Sequence, residues 1–545
     1  MHCVQIKPYE HNGEHIPPEQ IRIERQKHLI GYNEITCHFV FDVKLDGSFT
    51  RKARFCANGS KTDVPKSLSY SSVVSRQSVC IAFLLASLND VEVSACNISG
   101  AYLNAPVGEK VWFVAGTEMG LNKGRAMVIT RALYGLKTSA KAWSEFFGKS
   151  LTDMGYTRCV ADPDVWMKPA TNKQGYKYWA YMLVYVDDCL AVNHDPGPEM
   201  EEIKSRYKLK NDTYGEPTRY LGANVDKFQI PETGEKYWSM YAYDYVKESC
   251  KMVRGWSDND GRKFKGNRED AMPAKYRPEI DISAELGDEQ ATQFQQMIGI
   301  LRWSIELGRI DIITEVSLLS SFNVNPREGH LEAAYRIFEY LYNHMNGGRV
   351  VFDDRLPEVN EEQFKEVNWK NTYGDVTEDL PTNMPEARGN AVIISMFTDA
   401  AFAGDLVTRR SQSGILIFIN RAPITWYSKR QNTVEASTFG SEFIALRVGC
   451  EMNDGLRYKL RMMGVPLKGP TNVYCDNEAV VSNSSLAEST LKKKHLSVSY
   501  HKTRECGAKG AVRIGYESTE TNLADTCTKV LTGNNKRQKI RHILY

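Results

Sequence analysis

No run in this chain is long and apolar enough to span a bilayer, and the polar opening MHCVQIKPYEHNGEH predicts no secretory leader. A membrane partner is therefore not expected. Twelve cysteines are scattered without a CxxC pair or any zinc-knuckle or zinc-finger spacing, which excludes zinc modules of those kinds. It predicts free thiols in a reducing compartment. There is also little net charge, only +2, so a polyanion cannot be recognised by bulk charge and any such surface must be a local basic patch. What remains is an ordinary globular composition at a length of 545 residues. That is too long for one core, and about three or four domains are expected.

The chain is organised around Tyr181–Leu190, YMLVYVDDCL. Tyr181 to Val186 are all apolar or aromatic, the pattern of a buried strand. Asp187 and Asp188 follow, and Cys189 to Val192 form a second apolar run. The simplest shape is a β-hairpin carrying both acids at its tip. Two like charges so close must be solvated, paired with cations or bound to metal.

Upstream, residues 31–57 alternate apolar and polar side chains around Asp46–Gly47, the signature of a hairpin. The returning strand carries Arg51, Lys52 and Arg54, which suits either a solvated edge or a triphosphate clamp. Ser75 to Leu88 reads as a helix. Val91, Val93 and Ala95 then alternate along a strand that ends on Asn97. Residues 127–130 read as a strand, Tyr134–Gly135 as a turn, and the segment through Trp143, Phe146 and Phe147 as an amphipathic helix. Residues 196–209 predict a charged helix, and 254–270 a polar loop. Apolar stripes at helical spacing in 290–306 and 328–346 predict core-facing helices. Residues 352–390 hold ten acids against four Lys/Arg, which predicts a linker or solvated excursion.

A second set of acids lies towards the C-terminus. Residues 391–398 form an apolar strand leading to Asp399, with two further strands at 414–419 and 423–428. A helix from about Ser437 to Gly449 carries Glu442. Strand 472–475 delivers Asp476, and Asn522-Leu523-Ala524 leads into Asp525. Four carboxylates thus sit on a β-β-β-α-β-α pattern. Nearby, residues 491–513 carry seven Lys/Arg, among them Lys492, Lys493, Lys494, Lys502 and Arg504, against the single acid Glu505. Such a bias beside an acidic site suits phosphate-backbone binding without base reading.

Six segments, RKARFCANG (51–59), CNISGAYLNAPVGEKVW (96–112), RALYGLKTSAKAW (131–143), DPDVWM (162–167), LVYVDD (183–188) and RYLGANV (219–225), occur in this order. Together they resemble the copia-type retrotransposon reverse transcriptases. FTDAAFAGD (397–405), STFGSEF (437–443), YCDN (474–477) and NLADTCTK (522–529) resemble the ribonuclease H domain of the same polyproteins. The resemblance covers nearly all of the chain beyond residue 30. It implies a multidomain α+β and α/β architecture: a right-hand polymerase of fingers, palm and thumb, a helical connection and a ribonuclease H-like domain. The expected boundaries are a polar segment 1–30, fingers and palm 31–235, thumb and connection 236–350, acidic linker 351–390, nuclease-like domain 391–530 and basic tail 531–545.

The resemblance further implies RNA-directed DNA synthesis and cleavage of RNA in an RNA–DNA hybrid, with Mg²⁺ or Mn²⁺ at both sites. Phosphoryl transfer of this kind needs two divalent cations, and such cations require anionic oxygen ligands. Asp187 and Asp188 match the polymerase pair, and Asp399, Glu442, Asp476 and Asp525 the nuclease set. Tyr102 matches the aromatic that excludes a ribose 2′-hydroxyl. Arg51, Lys52, Arg54, Gly135 and Lys137 match substrate-contacting segments, and the residue 219–225 block a strand near the primer terminus. RNA template, DNA primer, dNTPs, capsid and integrase are the implied partners. Cytoplasmic particles, or the nucleus, are the implied setting. The chain departs from the family at Asn97, where the first palm aspartate is expected. Loss of one unit charge there predicts a deficit on the order of a thousandfold or more in rate. A nuclease with a silent polymerase, and a non-catalytic nucleic-acid-binding remnant, are the rival expectations.

Overall fold

The structure is a computed structural model and describes residues 6–43, 51–62, 71–259 and 261–545. The expected Asp46–Gly47 turn lies outside these residues. Strands β1 (Cys37–Val43) and β2 (Arg51–Ala57) pair antiparallel, with Phe39 opposite Phe55. The polar N-terminal segment is less separate than its composition suggests. Ile6–Pro8 pairs with Ala126–Ile129 in a small four-stranded sheet that also holds Val111–Val114 and Asn33–Glu34.

Helix α1 (Arg76–Leu88) begins at Ser75, whose hydroxyl accepts the Ser78 amide. It is buried nearly all round. Next come β3 (Glu92–Ile98), α2 (Ser139–Asp153), β4 (Val165–Thr171), β5 (Lys177–Tyr185), β6 (Asp188–Asn193), α3 (Gly197–Arg206) and β7 (Leu209–Gly215). The strands form a six-stranded sheet in the order Thr157–Arg158, β4, β5, β6, β3, β7. Alternation along β5 and β6 feeds two cores, as a strand buried on both faces requires. Leu183, Leu190 and Val192 pack on the α1 side, whereas Met182, Val184, Cys189 and Ala191 meet Trp143 and Phe147 of α2.

Tyr220-Leu221-Gly222 is the tip of a hairpin rather than a strand. Leu221 and Gly222 both take positive φ between Arg219–Tyr220 and Ala223–Gln229, the backbone a two-residue hairpin turn needs. Helix α4 (Tyr243–Asn259) runs into the stretch expected to be loop, because Val246, Cys250 and Val253 give it an apolar face directed at the core. Helices α5 (Asp288–Glu306), α6 (Ile313–Ser320) and α7 (Glu328–Asn343) follow, and the expected stripes of α5 and α7 are buried.

The C-terminal sheet comprises β8 (Ile394–Ala401), β9 (Gln412–Ile419), β10 (Ala422–Arg430), β11 (Thr471–Cys475) and β12 (Val512–Tyr516), in the order β10-β9-β8-β11-β12. The first three run antiparallel, and β11 is parallel to both β8 and β12. Helices α8 (Thr438–Met462) and α9 (Ser497–Ala508) cover it. A six-stranded sheet, a helical middle and a five-stranded C-terminal sheet make a multidomain α+β and α/β architecture of the expected class.

Residues 352–390 are a largely exposed excursion, as expected, but one fastened at points to the C-terminal sheet and its helices: Glu378 is held by Arg457 and Arg461, and Phe364 packs on Tyr474. The basic tail is folded in as α10 (Gly533–Ile540), with Lys536 buried against Glu315 at 2.8 Å and Ile543 and Leu544 in the core.

Candidate active sites

The β5–β6 hairpin turns through Val186 and Asp187, with Tyr185 opposite Asp188. Val186 has φ +56°, a strained backbone for a β-branched residue. The turn is fastened by Trp143, whose indole N–H donates to the Val186 carbonyl at 2.7 Å. On the other side β3 places Asn97 directly opposite Asp188. The Asn97 amide nitrogen donates to Asp188 at 2.7 Å and to Asp187 at 3.1 Å. The sequence thus brings the three expected residues together, but the third member is a neutral donor lodged between two acids. Burial pushes the Asp188 carboxyl above its ordinary value, and Asp187 adds to the push, against the Asn97 hydrogen bond.

Tyr102 lies beside Tyr134, with ring centroids 5.2 Å apart. Both hydroxyls are pushed up by burial and then by the field of Asp187. Tyr134 was expected only as part of a turn. Arg54 is close enough to Tyr134 to act on its hydroxyl, while Arg51 and Lys52 are exposed on β2. Gly135 has a packing reason for being glycine: it sits at φ +93° and a Cβ there would lie 2.0 Å from the Ala57 carbonyl oxygen. Lys137 donates to the Thr62 carbonyl at 2.7 Å, so its ammonium ties the fingers-like segment together.

The second site gathers four acids from separate elements. Asp399 lies on the central strand β8, Glu442 in the second turn of α8, Asp476 just beyond β11, and Asp525 in the turn Leu523–Cys527. That turn reaches the sheet because residue 414 is glycine; a Cβ there would meet Thr528 at 2.6 Å. Asn522 anchors it further by donating to the Thr398 carbonyl at 2.9 Å. One oxygen each of Asp399, Asp476 and Asp525 lie within 4.8 Å of one another, and Glu442 forms a similar group with Asp476 and the Cys475 sulfur.

The electrostatics are those of crowded acids in a low-dielectric setting. Burial pushes Asp399 up to about 6, with Asp525 adding to the rise and Lys529 opposing it. Glu442 is raised well above its usual range by burial and then by Asp399 and Asp476. Its Oε2 is buried with no hydrogen-bond partner among the described residues. Burial works against the charge of Asp525 too, but Lys529 and Lys539 hold its carboxyl below the ordinary range. Lys529 pairs with Asp525 and stands 3.5 Å from Asp399, and Lys539 of α10 pairs with Asp525 at 2.5 Å. Thr528 donates to Asp399. These three residues were not singled out from the sequence; Lys529 lies inside the 522–529 motif, but nothing in a lone Thr or Lys marks its contacts.

The basic patch divides. Lys492 and Lys494 are exposed. Lys493 bonds Ser437, the residue that caps the helix carrying Glu442. Lys502 is paired with Asp454 at 2.7 Å. Arg504 is only 1 % exposed and donates to the carbonyls of Asn483, Leu486 and Ala487. As a nucleic-acid contact Arg504 is therefore corrected to a buried brace: from α9 its two NH₂ groups hold the chain at residues 483–489 and do not reach solvent.

Residues 28–251 match the family model described as reverse transcriptase (RNA-dependent DNA polymerase). The chain is 24% identical over 509 residues to the retrovirus-related Pol polyprotein from transposon RE1 of Arabidopsis thaliana, covering 91% of this chain and 31% of that protein. It is 25% identical over 515 residues to the retrovirus-related Pol polyprotein from transposon TNT 1-94 of Nicotiana tabacum, covering 92% and 35%. The chain thus spans about a third of the length of these relatives. A foamy viral protease-reverse transcriptase solved with double-stranded DNA aligns over 94% of this chain and 72% of its own, at 12% identity and a TM-score of 0.46. The resemblance to copia-type Pol polyproteins holds over most of the chain.

Proposed function

We propose that this chain is the polymerase and nuclease segment of a copia-type retrotransposon polyprotein, with a nuclease centre whose acids are complete and a polymerase centre lacking one charge. The observation that carries this reading is the contrast between the two clusters. Four acids converge at one, whereas at the other an amide hydrogen-bonds both of two acids.

The four-acid cluster fits divalent cations. Burial and then neighbouring acids raise Asp399 and Glu442, and the buried, unpartnered Glu442 Oε2 is the kind of oxygen a hard cation takes. Asp399, Glu442, Asp476 and Asp525 would hold Mg²⁺ or Mn²⁺. When bound, such cations supply positive charge to a phosphodiester as negative charge builds up in its displacement. The chain's own residues prepare that centre. Thr528 orients Asp399, Lys539 anchors Asp525 from the far side, and exposed Lys492 and Lys494 stand on the same domain for the phosphates of a hybrid.

The palm cluster does not fit two cations as it stands. Two carboxylates supply at most two charges, and the Asn97 NH₂ group fills the position between them. No step is drawn through a metal there. Strand β2 with Arg54, and the Tyr102–Tyr134 pair within the field of Asp187, suit a dNTP and its sugar. Template RNA, primer, and capsid and integrase of the same element in cytoplasmic particles follow from the resemblance. No helix among the described residues is long and apolar enough to cross a membrane.

The test compares the protein as it stands with Asn97→Asp in Mg²⁺, each given a primed RNA template with dNTPs and, separately, a labelled RNA–DNA hybrid. Both should cleave the hybrid, and Asn97→Asp should extend the primer on the order of a thousandfold faster. Equal extension by both proteins would refute the missing-charge account. Absence of cleavage by both would make the chain a binding remnant.

A further inference from the structure

Beside the four-acid cluster, between the helical connection and the nuclease-like sheet, lies a cavity of about 210 Å³. Leu318 and Phe322 form apolar wall, and Lys275, Arg277, Arg410 and Lys529 line it with cations. Two acids also line it, but they are engaged. Asp405 takes Arg430 at 2.7 Å, and Glu279 accepts the Leu406 amide at 3.0 Å with Arg277 at 3.8 Å. Lys275 and Arg410 have no side-chain hydrogen bond or ion pair among the described residues. Lys275 and Arg410 therefore leave the cavity with an excess of positive charge, which favours an anion there.

We infer that this cavity binds a phosphate group of the nucleic acid engaged at the acid cluster, and that Lys529 couples phosphate binding to cation loading. The inference rests on the reading of Asp399, Glu442, Asp476 and Asp525 as cation ligands. Lys529 belongs to both places. It lines the cavity, and its ammonium lies against Asp399 and Asp525. An ammonium and a divalent cation compete for those same oxygens. A phosphate held by Lys275 and Arg410 offers Lys529 another anion, so that it can leave the acids, while Lys539 stays on Asp525 through its bonds to the Thr519 and Asn522 carbonyls. Phosphate then strengthens cation binding, and by reciprocity the cation strengthens phosphate binding. Cation loading waits for substrate.

The test uses the full chain and an uncleavable hybrid whose RNA strand carries 2′-O-methyl sugars, with AMP as a separate arm. In EDTA, the hybrid should protect Lys275 and Lys529 from acetylation, read by mass spectrometry. In Mn²⁺ titrations followed by electron paramagnetic resonance, the hybrid should tighten Mn²⁺ binding about tenfold. The double variant Lys275→Ala, Arg410→Ala should keep the hybrid-free Mn²⁺ affinity and lose the tightening. Lys529→Met should bind Mn²⁺ tightly from the outset and gain nothing from hybrid. If AMP alone reproduces protection and tightening, the phosphate is that of a free or terminal nucleotide; if only the hybrid does, it is an internal phosphodiester. Unprotected lysines, or tightening that survives in the double variant, would overturn the inference. A protein that shows protection in EDTA but binds no Mn²⁺ would instead refute the cation reading of the acids.

Discussion

At the scale of single residues, the chemistry turns on which groups carry charge in confined places. Asn97 and a carboxylate have nearly the same shape, so β3 delivers either one to Asp187 and Asp188 with the same register. What changes is sign: the amide donates where a carboxylate would repel and so demand a cation. In the other cluster the cost of burying charge shows through pH. Burial, with Asp525 adding to it, pushes Asp399 up to about 6 in the fold, above the ordinary value of about 4. A raised acid stabilises the fold, relative to the unfolded chain, below about pH 4, and that contribution is lost as pH rises through 6. Asp399→Asn should therefore make the metal-free protein more stable at pH 7, by about 1–2 kcal/mol, and the gain should vanish near pH 4. Urea denaturation in EDTA at the two pH values checks this, and a destabilised variant at pH 7 would contradict it. Mn²⁺ affinity of the unsubstituted protein should fall below pH 6, as protons compete for the same oxygens. The acids themselves were legible in the sequence because each lies within a motif on or beside a strand or helix that the apolar pattern marks. Their partners were not. Lys539 reaches Asp525 only because α10 folds back on the domain, and Tyr134 is tied to β2 by a bridge to Cys56 that no motif marks.

At the scale of elements, composition leaves out attachments made to residues distant in sequence. The acidic stretch 352–390 reads as solvated and is largely exposed, yet Glu361 pairs with Arg513, Glu378 with Arg457 and Arg461, and Trp369 stacks on Arg504. The same pairings explain why part of the basic patch is not free for phosphate. Helix α8 shows the converse. The expected helix ends near Gly449, but it continues to Met462 because Cys450, Leu456 and Leu460 keep an apolar face in the core and the buried polar residues between them are partnered: Asn453 accepts the Thr471 hydroxyl, and Arg457 reaches Glu378. Gly449 is small to clear Met396, not to stop a helix. Glu378 is thus a clasp. Its burial opposes charge, but the two arginines prevail and hold it at about 2. An acid depressed in this way stabilises the fold above its ordinary value near 4.5, and that stabilisation is lost as pH falls towards 2. Glu378→Gln should lower stability by about 2 kcal/mol at pH 7 and open residues 352–390 to protease. An unchanged cleavage pattern would mean that Phe364 and Trp369 suffice to hold the strap.

At the scale of the whole molecule, the two sites are parts of one packed body. A single apolar cluster runs from α1 through the helical connection into the C-terminal sheet. The joint is polar as well. Arg76 sits 3.8 Å over the Trp426 ring, pairs with Glu306 at 2.5 Å and donates to the Ile424 carbonyl. The Tyr181 hydroxyl, from the hairpin strand of the palm-like sheet, donates to the Met463 carbonyl at 2.7 Å. Linear order suggested successive domains on a string, because interfaces between distant segments leave no periodic mark. Two consequences follow from a shared core. Residues 391–545 expressed alone should not fold, since the face of β10 with Trp426 would be bared, and calorimetry of the full chain should give one transition rather than two. The second concerns function. If the body is rigid, the span between the acid hairpin and the four-acid cluster is a constant, and a hybrid seated by its primer end at the first is cut at a fixed distance by the second. With a hybrid carrying a recessed primer terminus, RNA fragments should therefore cluster tightly at one length. Arg76→Ala, which loosens the joint by on the order of 2 kcal/mol without touching either acid cluster, should broaden that distribution while leaving cleavage of a blunt hybrid unchanged. Fragments equally sharp in the variant would show that the packed core alone fixes the span, and fragments of scattered length in the unsubstituted protein would show that the hybrid does not engage both sites at once.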